Sequence, residues 1–294
     1  MVVGGGPTGC EYASIFTALG ARVTLVDAAD RLMPIMDAEL SRLATQVFER
    51  QGMRVLCGTG VTTIRRSQTG LEIQLTSGEL LRPEVMLFAG GRSVRTGDLG
   101  LEAAGVATTP RGWISVDDTY RTTAPGIYAA GDVIGPTLAS VAMEQDRVVA
   151  SDAFGLGIKK HIYPLPVSAV YSVPQVAGVG LTEEQASAAG VAYDVGRCRF
   201  ATLPAGIIAG HTEGMLKLVF AVDDLRLLGV HSLGDIAAEL VALGQVVIHQ
   251  GANLEIFNDL TFANPTYTMA YKDAAFDGLT HVAWWRGRQR QKAS

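Results

Sequence analysis

Gly4, Gly6 and Gly9 form a Gly-x-Gly-x-x-Gly run, and Asp27 follows Gly9 at a distance of 18 residues. These residue types at this spacing suit the holding of a dinucleotide. Gly4 permits a tight turn, Gly6 lets the backbone approach a pyrophosphate, and Gly9 lets a helix lie close on a strand. Pro7 and Thr8, between the second and third glycines, belong to the same candidate binding set, and the N-terminus of the helix that follows attracts phosphate oxygens. Asp27 can accept hydrogen bonds from the hydroxyls of an adenosine ribose and repels a 2′-phosphate, which favours NAD over NADP. Arg31, four residues on, either softens that preference or is a solvated surface cation.

Such a constellation works only if strand, turn, helix and second strand occur in that order. "MVV" before the glycines is strand-like, though shorter than an ordinary buried strand of ~5–6 residues. "CEYASIFTALG" has apolar residues at helical spacing and stops at Gly20, and "ARVTLVDAAD" reads as a buried strand ending at Asp27. Leu40, Leu43, Ala44, Val47 and Phe48 share one face of a helix over Ala38–Gln51, stopped by Gly52. "MRVLCG" reads as a third strand, and "VTTIRRS" and "LEIQLTSG" as a meander. "VMLFAGGR" reads as a buried strand that leaves Gly90 and Gly91 at its carboxyl edge, where open α/β sheets bind ligands. Residues 1–112 thus read as a complete Rossmann-type NAD(P)-binding domain.

"GIYAAGD" then reads as a short strand ending in Gly131 and Asp132, followed by a helix from about Leu138 and Ala139. Beyond Ile162 the pattern changes. "TEEQASAAG" is a short helix with Thr182 and Gln185 as a capping box and Gly190 as its stop. "RCRFATL", "MLKLVFAV" and "LRLLGVHSLG" alternate as antiparallel strands, with Asp223 and Asp224 at a hairpin. Helices over Asp235–Gln250, with Ile236, Leu240, Leu243 and Val247 on one face, and over roughly Thr266–Leu279 complete a separate α+β domain.

Taken together, "GCEYASIF", "AAGDVIG", "LASVAMEQ", "YSVPQVAGVG", "GMLKLVF", "LLGVHSLG" and "FANPTYTMAYKDAA" resemble the pyridine nucleotide–disulfide oxidoreductase family. The resemblance implies an α/β architecture: the NAD(P)-binding domain (1–112), a remnant of a FAD-binding domain (113–161), an α+β dimerisation domain (162–282) and a tail (283–294). It implies FAD, NAD and NADP as cofactors and nicotinamide nucleotides and a homodimeric mate as partners. Asp132 would hold the flavin's ribityl chain, with Gly131, Leu138 and Ala139 presenting the next helix to the ring, and Gly91 would line the nucleotide site. Glu11 matches a family glutamate near the nicotinamide, and by its position alone it is an acid favoured by the helix dipole.

Two departures from the family pattern carry expectations. A first FAD fingerprint does not precede Gly4, so the chain is expected to be a fragment of a longer enzyme, with Met1 internal or at an incomplete start. The disulfide reductases of the family end in His-Pro-x-x-x-Glu, a base pair for thiols, whereas here Asn264 and Met269 occupy those positions in "NPTYTM". An asparagine takes no proton near neutrality. The expected activity is therefore flavin-dependent hydride transfer between NADPH and NAD, a transhydrogenation. The alternatives are a dihydrolipoamide dehydrogenase-like flavoprotein and a catalytically silent nucleotide-binding module.

The remaining composition narrows the classes. With 294 residues, 48% of them hydrophobic, the chain can bury a large core. A net charge of −5 gives no basic field for nucleic acid. The sequence holds no apolar run of membrane-spanning length (about 18 residues) and no signal peptide, so a cytoplasmic location without a membrane partner is expected. Cys10, Cys57 and Cys198 are too scattered for a disulfide framework or a metal site. Five histidines are scattered as well, and His231 reads as a satisfied sheet residue. The basic tail, "WWRGRQRQKAS", reads as a solvated, disordered end.

Overall fold

In the computed structural model, which describes the backbone of residues 1–293 and the side chains of residues 1–283, the chain divides into two units. One comprises Met1–Gly91 with Val167–Ser294, the other Arg92–Pro166. The first unit opens with β1 (Val2–Val3), α1 (Pro7–Ala18), β2 (Thr24–Val26), α2 (Ala38–Arg50) and β3 (Arg54–Leu56). A meander, β4 (Val61–Ser67), β5 (Gly70–Leu75) and β6 (Leu80–Leu81), leads to β7 (Leu87–Phe88). The parallel sheet has the order β3-β2-β1-β7, so the chain winds outward from β1 and returns to its other side. The glycine turn therefore falls at the carboxyl edge of the central strand. β7 is not the buried strand expected from "VMLFAGGR": it spans two residues and Phe88 is 70% exposed. Its backbone pairs with β1, while the Phe88 ring stands largely in the open.

The second unit holds α3 (Ala139–Ala153) and a small core of Val106, Ile114, Ala124 and Ala129. Arg121 grips Asp152 with two bonds at 2.7 and 2.8 Å, and the Tyr128 hydroxyl donates to the same carboxylate at 2.8 Å. Residues 92–112 lie in this unit.

Past Val167 the first unit resumes with β8 (Ser168–Val170), β9 (Gln175–Gly180), α4 (Glu183–Ala188), β10 (Tyr193–Arg199) and α5 (Pro204–Ala209). β11 (Met215–Ala221), β12 (Leu227–Gly234), α6 (Ala237–His249), α7 (Glu255–Asp259) and α8 (Met269–Ala293) follow. The antiparallel sheet runs β10-β11-β12-β9-β8. The Thr182–Gln185 capping box on α4 is formed. "RCRFATL" does not stay extended. The strand ends at Arg199 and Phe200–Thr202 form a 3-10 turn. Phe200 is buried there, its ring lying where Gly214 and Gly234 carry no Cβ. α8 starts later than Thr266 and runs past Leu279 to Ala293, so the backbone expected to be a disordered tail continues this helix, while its side chains from residue 284 lie outside the described residues. Val170, Val176, Met215 and Leu233 of this sheet join Val2, Leu25, Leu40 and Phe48 in one core. That shared burial makes the two stretches one unit.

His231 on β12 is buried, and its Nε2 meets the Leu181 carbonyl at 2.9 Å. Burial depresses its pKa, against the pull of Asp37. The unfolded chain thus takes up a proton at about pH 6.5 that the folded chain refuses. Stability should be fully present above that pH and fall as pH drops below it, at up to about 1.4 kcal/mol per pH unit. Urea midpoints between pH 7.5 and 5.5 check this: His231→Gln is expected to flatten the profile, and an unchanged slope would count against the assignment.

Candidate nucleotide site

Gly4 ends β1 with φ +111°, and a Cβ there would overlap the Ala89 carbonyl. Its N–H donates to the Val26 carbonyl at 2.8 Å. Gly9 lies one helical turn on, and a Cβ on it would sit inside the Gly4 carbonyl oxygen. Gly6, the N-cap of α1, faces open space, with nothing within 4 Å of where its Cβ would be. Pro7 is the first helical residue, Thr8 the second, and no side chain caps this helix start. The turn is thus fixed from below by two glycines and open from above at the third, and this cradle fits a pyrophosphate.

Asp27 stands at the end of β2, one oxygen accepting the Gly5 N–H and the other the Ala29 N–H at 2.6 Å. The structure therefore brings Gly4, Gly6, Pro7, Thr8, Gly9 and Asp27 together. Gly91 is exposed beyond β7 with φ +125°. Glu11 lies past the first turn of α1, so the dipole argument does not apply to it. Its carboxylate instead accepts the Tyr171 N–H at 2.9 Å, and the Ser14 hydroxyl accepts the Val173 N–H at 3.1 Å. Helix α1 is thereby bound to the strand region after β8. Arg31 is partly exposed but not free: it pairs with Glu184 at 3.1 Å and donates to the Pro34 carbonyl at 3.1 Å.

In the second unit Gly131 is buried with φ +79°, and its N–H donates to Gln145 at 2.7 Å. Asp132 is exposed. It accepts the Thr137 N–H at 3.0 Å and pairs with Arg92 at 3.2 Å. Leu138 is the N-cap of α3 and Ala139 its first residue, with no capping side chain. An acid beside an uncapped helix start fits a polar chain leading to an anionic or electron-accepting ring. Sequence reasoning did not find Arg92, Gln145, or, in the first unit, the three carboxylates Asp37, Glu39 and Glu183 that meet the Lys217 ammonium. Only the "GGR" and "MEQ" contexts carried a signal for the first two. Asn264 and Met269 lie on the segment that precedes and opens α8, where Thr266 donates to the Ala263 carbonyl at 2.6 Å. Burial raises the pKa of the Cys10 and Cys198 thiols, the latter to about 12, so neither is a ready nucleophile. Among the described residues no His, Cys, Asp and Glu group is arranged to hold a metal ion, and no helix is long and apolar enough to cross a membrane.

A Rossmann-type parallel sheet with its glycine turn and an antiparallel sheet on the same core fit the architecture of a pyridine nucleotide-dependent oxidoreductase. The sequence matches the description "Pyridine nucleotide-disulphide oxidoreductase" over residues 1–145 and that family's dimerisation domain over residues 167–275. The chain belongs to the pyridine nucleotide–disulphide oxidoreductase family. It is 38% identical over 286 residues to the soluble pyridine nucleotide transhydrogenase of Pseudomonas putida, and 37% identical to that of a Marinomonas species. In both matches 96% of this chain is covered and 61% of the relative, so the chain spans about three fifths of their length. Among solved structures it is similar to the HOCl-induced flavoprotein disulfide reductase RclA of Escherichia coli, with a TM-score of 0.87 and 28% identity over 94% of this chain and 63% of that one. It is also similar to LpdA of Mycobacterium tuberculosis, with a TM-score of 0.83 and 28% identity over 94% and 60%.

Proposed function

We propose that the chain forms the nicotinamide-nucleotide and dimerisation parts of a cytoplasmic, homodimeric, FAD-dependent NAD(P) transhydrogenase. The observation that carries this reading is the pairing of an intact dinucleotide cradle, Gly4 to Asp27, with "NPTYTM". Asn264 and Met269 supply neither a base nor an orienting acid for a thiol. The domain division expected from sequence, 1–112, 113–161 and 162–282, is part of the proposal, and so is Asp132 as holder of the ribityl chain. When bound, FAD supplies a two-electron acceptor that takes hydride from one nucleotide and returns it to the other. This chain's residues position and bind. Gly6 and the N–H groups after it take the pyrophosphate, Asp27 takes the adenosine ribose, and Glu11 keeps α1 in place through Tyr171.

Flavin-loaded enzyme containing this chain is expected to pass hydride from NADPH to NAD and to reduce lipoamide and glutathione disulfide at least ~100-fold more slowly, the scale on which a missing general base acts. Steady-state rates with each acceptor decide it. Disulfide turnover matching the nucleotide-to-nucleotide rate would favour the reductase chemistry named for the Escherichia coli structure instead.

A further inference from the structure

Lys217, in the middle of β11, is fully buried among carboxylates from two other elements. Its ammonium lies 2.9 Å from both Asp37 oxygens and 3.0 Å from Glu39, and it also bonds Glu183. Asp37 is 1% exposed, and Arg197 braces Glu39 with bonds of 2.8 to 3.0 Å. Desolvation offsets most of the attraction in such a network, so it is weak grounds for stability. What it does fix is where α2 begins.

Asp37 is the N-cap of α2, accepting the Glu39 N–H at 3.0 Å and the Leu40 N–H at 3.3 Å. From the same turn the Ser41 hydroxyl donates to the Leu32 carbonyl. Leu32 is fully buried, and its Cδ2 lies 2.6 Å from where a Cβ on Gly5 would stand. The Met33 N–H donates to the Gly5 carbonyl at 2.8 Å, and the Gly5 N–H donates to Asp27. One unbroken series of contacts thus runs from Lys217 through Asp37, the start of α2, Leu32 and Met33 to Gly5 and Asp27.

We propose that Lys217 is a positioning residue for the adenosine end of the dinucleotide site and acts through Asp37, an inference that rests on reading Gly4–Asp27 as that site. Lys217 keeps three carboxylates together at one helix start. Without it, ionised Asp37 faces Glu39 and Glu183 with Arg197 as the remaining cation, and repulsion drives the cap away from α2. Leu32 and Met33 then lose their hold on Gly5, and the ribose acceptor shifts.

Titration of the full chain with ADP-ribose and NADH tests this. Lys217→Met is expected to weaken both by about tenfold, the range seen for residues acting at one remove, with far-UV circular dichroism and sedimentation unchanged. Lys217→Met/Asp37→Asn removes both charges but keeps a capping side chain. It is expected to regain ADP-ribose affinity to within about threefold of wild type, a rescue that a merely structural lysine would not give. A folded Lys217→Met chain with wild-type affinity overturns the proposal. So does a double variant that stays tenfold weak or fails to fold, because the route through Asp37 is then wrong. Should Lys217→Met alone not fold, the double variant carries the test. Wild-type chain that binds neither probe would instead remove the nucleotide-site reading, a result distinguishable from failure of the lysine's role.

Discussion

Gly9→Ala is expected to abolish measurable nucleotide binding, weakening it at least ~100-fold, or about 2.7 kcal/mol. The added methyl would occupy the Gly4 carbonyl oxygen and come within 2.8 Å of the Gly4 carbonyl carbon. Both are backbone atoms, so no side-chain rotation relieves the clash, and overpacking of this kind costs about 1–3 kcal/mol of stability as well. Gly4 cannot retreat, because its own Cβ position is closed by the Ala89 carbonyl. Gly6→Ala makes the contrast. Its methyl meets nothing in the protein but projects where a pyrophosphate would approach. Calorimetric titration with NADH alongside thermal melts separates the two: Gly9→Ala should lose both affinity and stability, Gly6→Ala affinity alone. Wild-type affinity in either variant would place the dinucleotide elsewhere.

Asp27→Ala is expected to shift the NADH-to-NADPH affinity ratio by roughly 10- to 100-fold toward NADPH, since a hydrogen bond to a charged group contributes about 1.5–3 kcal/mol. Two effects act in the same direction. NADH loses its ribose acceptor, and NADPH loses the carboxylate that repels its 2′-phosphate. Asp27 also holds the Gly5 and Ala29 N–H groups, so both affinities should fall somewhat together. The ratio, not either affinity, is therefore the measurement. Asp27→Asn keeps an acceptor and removes the charge, which separates repulsion from hydrogen bonding. A ratio unchanged in both variants would show that Asp27 is only a brace for the turn.

Local signals in the sequence carried the strand–turn–helix–strand order because each was fixed by backbone chemistry nearby: Gly4 and Gly20 by positive φ, α2 by its apolar stripe, α4 by its capping box. The glycines and acid of the candidate site stood out for the same reason. What the sequence hid is what depends on distant partners. Phe88 reads as a core residue and lies exposed on a sheet edge. Phe200 reads as part of a strand and turns into space left by Gly214 and Gly234. Lys217, in a strand of otherwise apolar residues, gave no sign that it would meet a helix cap from the other end of the chain. Arg31 reads as a nucleotide-facing or solvated cation and is taken by Glu184.

The bond from Tyr171 to Glu11 joins positions 160 residues apart. During synthesis the helix that bears the cradle is made well before the groups that hold it. At about 5–20 residues per second, a ribosome needs roughly 10–30 s to bridge that interval. For that time the parallel sheet lacks Val170, Val176, Met215 and Leu233, which close its core. The intervening residues 92–166 form a separate unit with a small core of their own. The turn proposed to meet the nucleotide is thus held in place only by residues translated well after it.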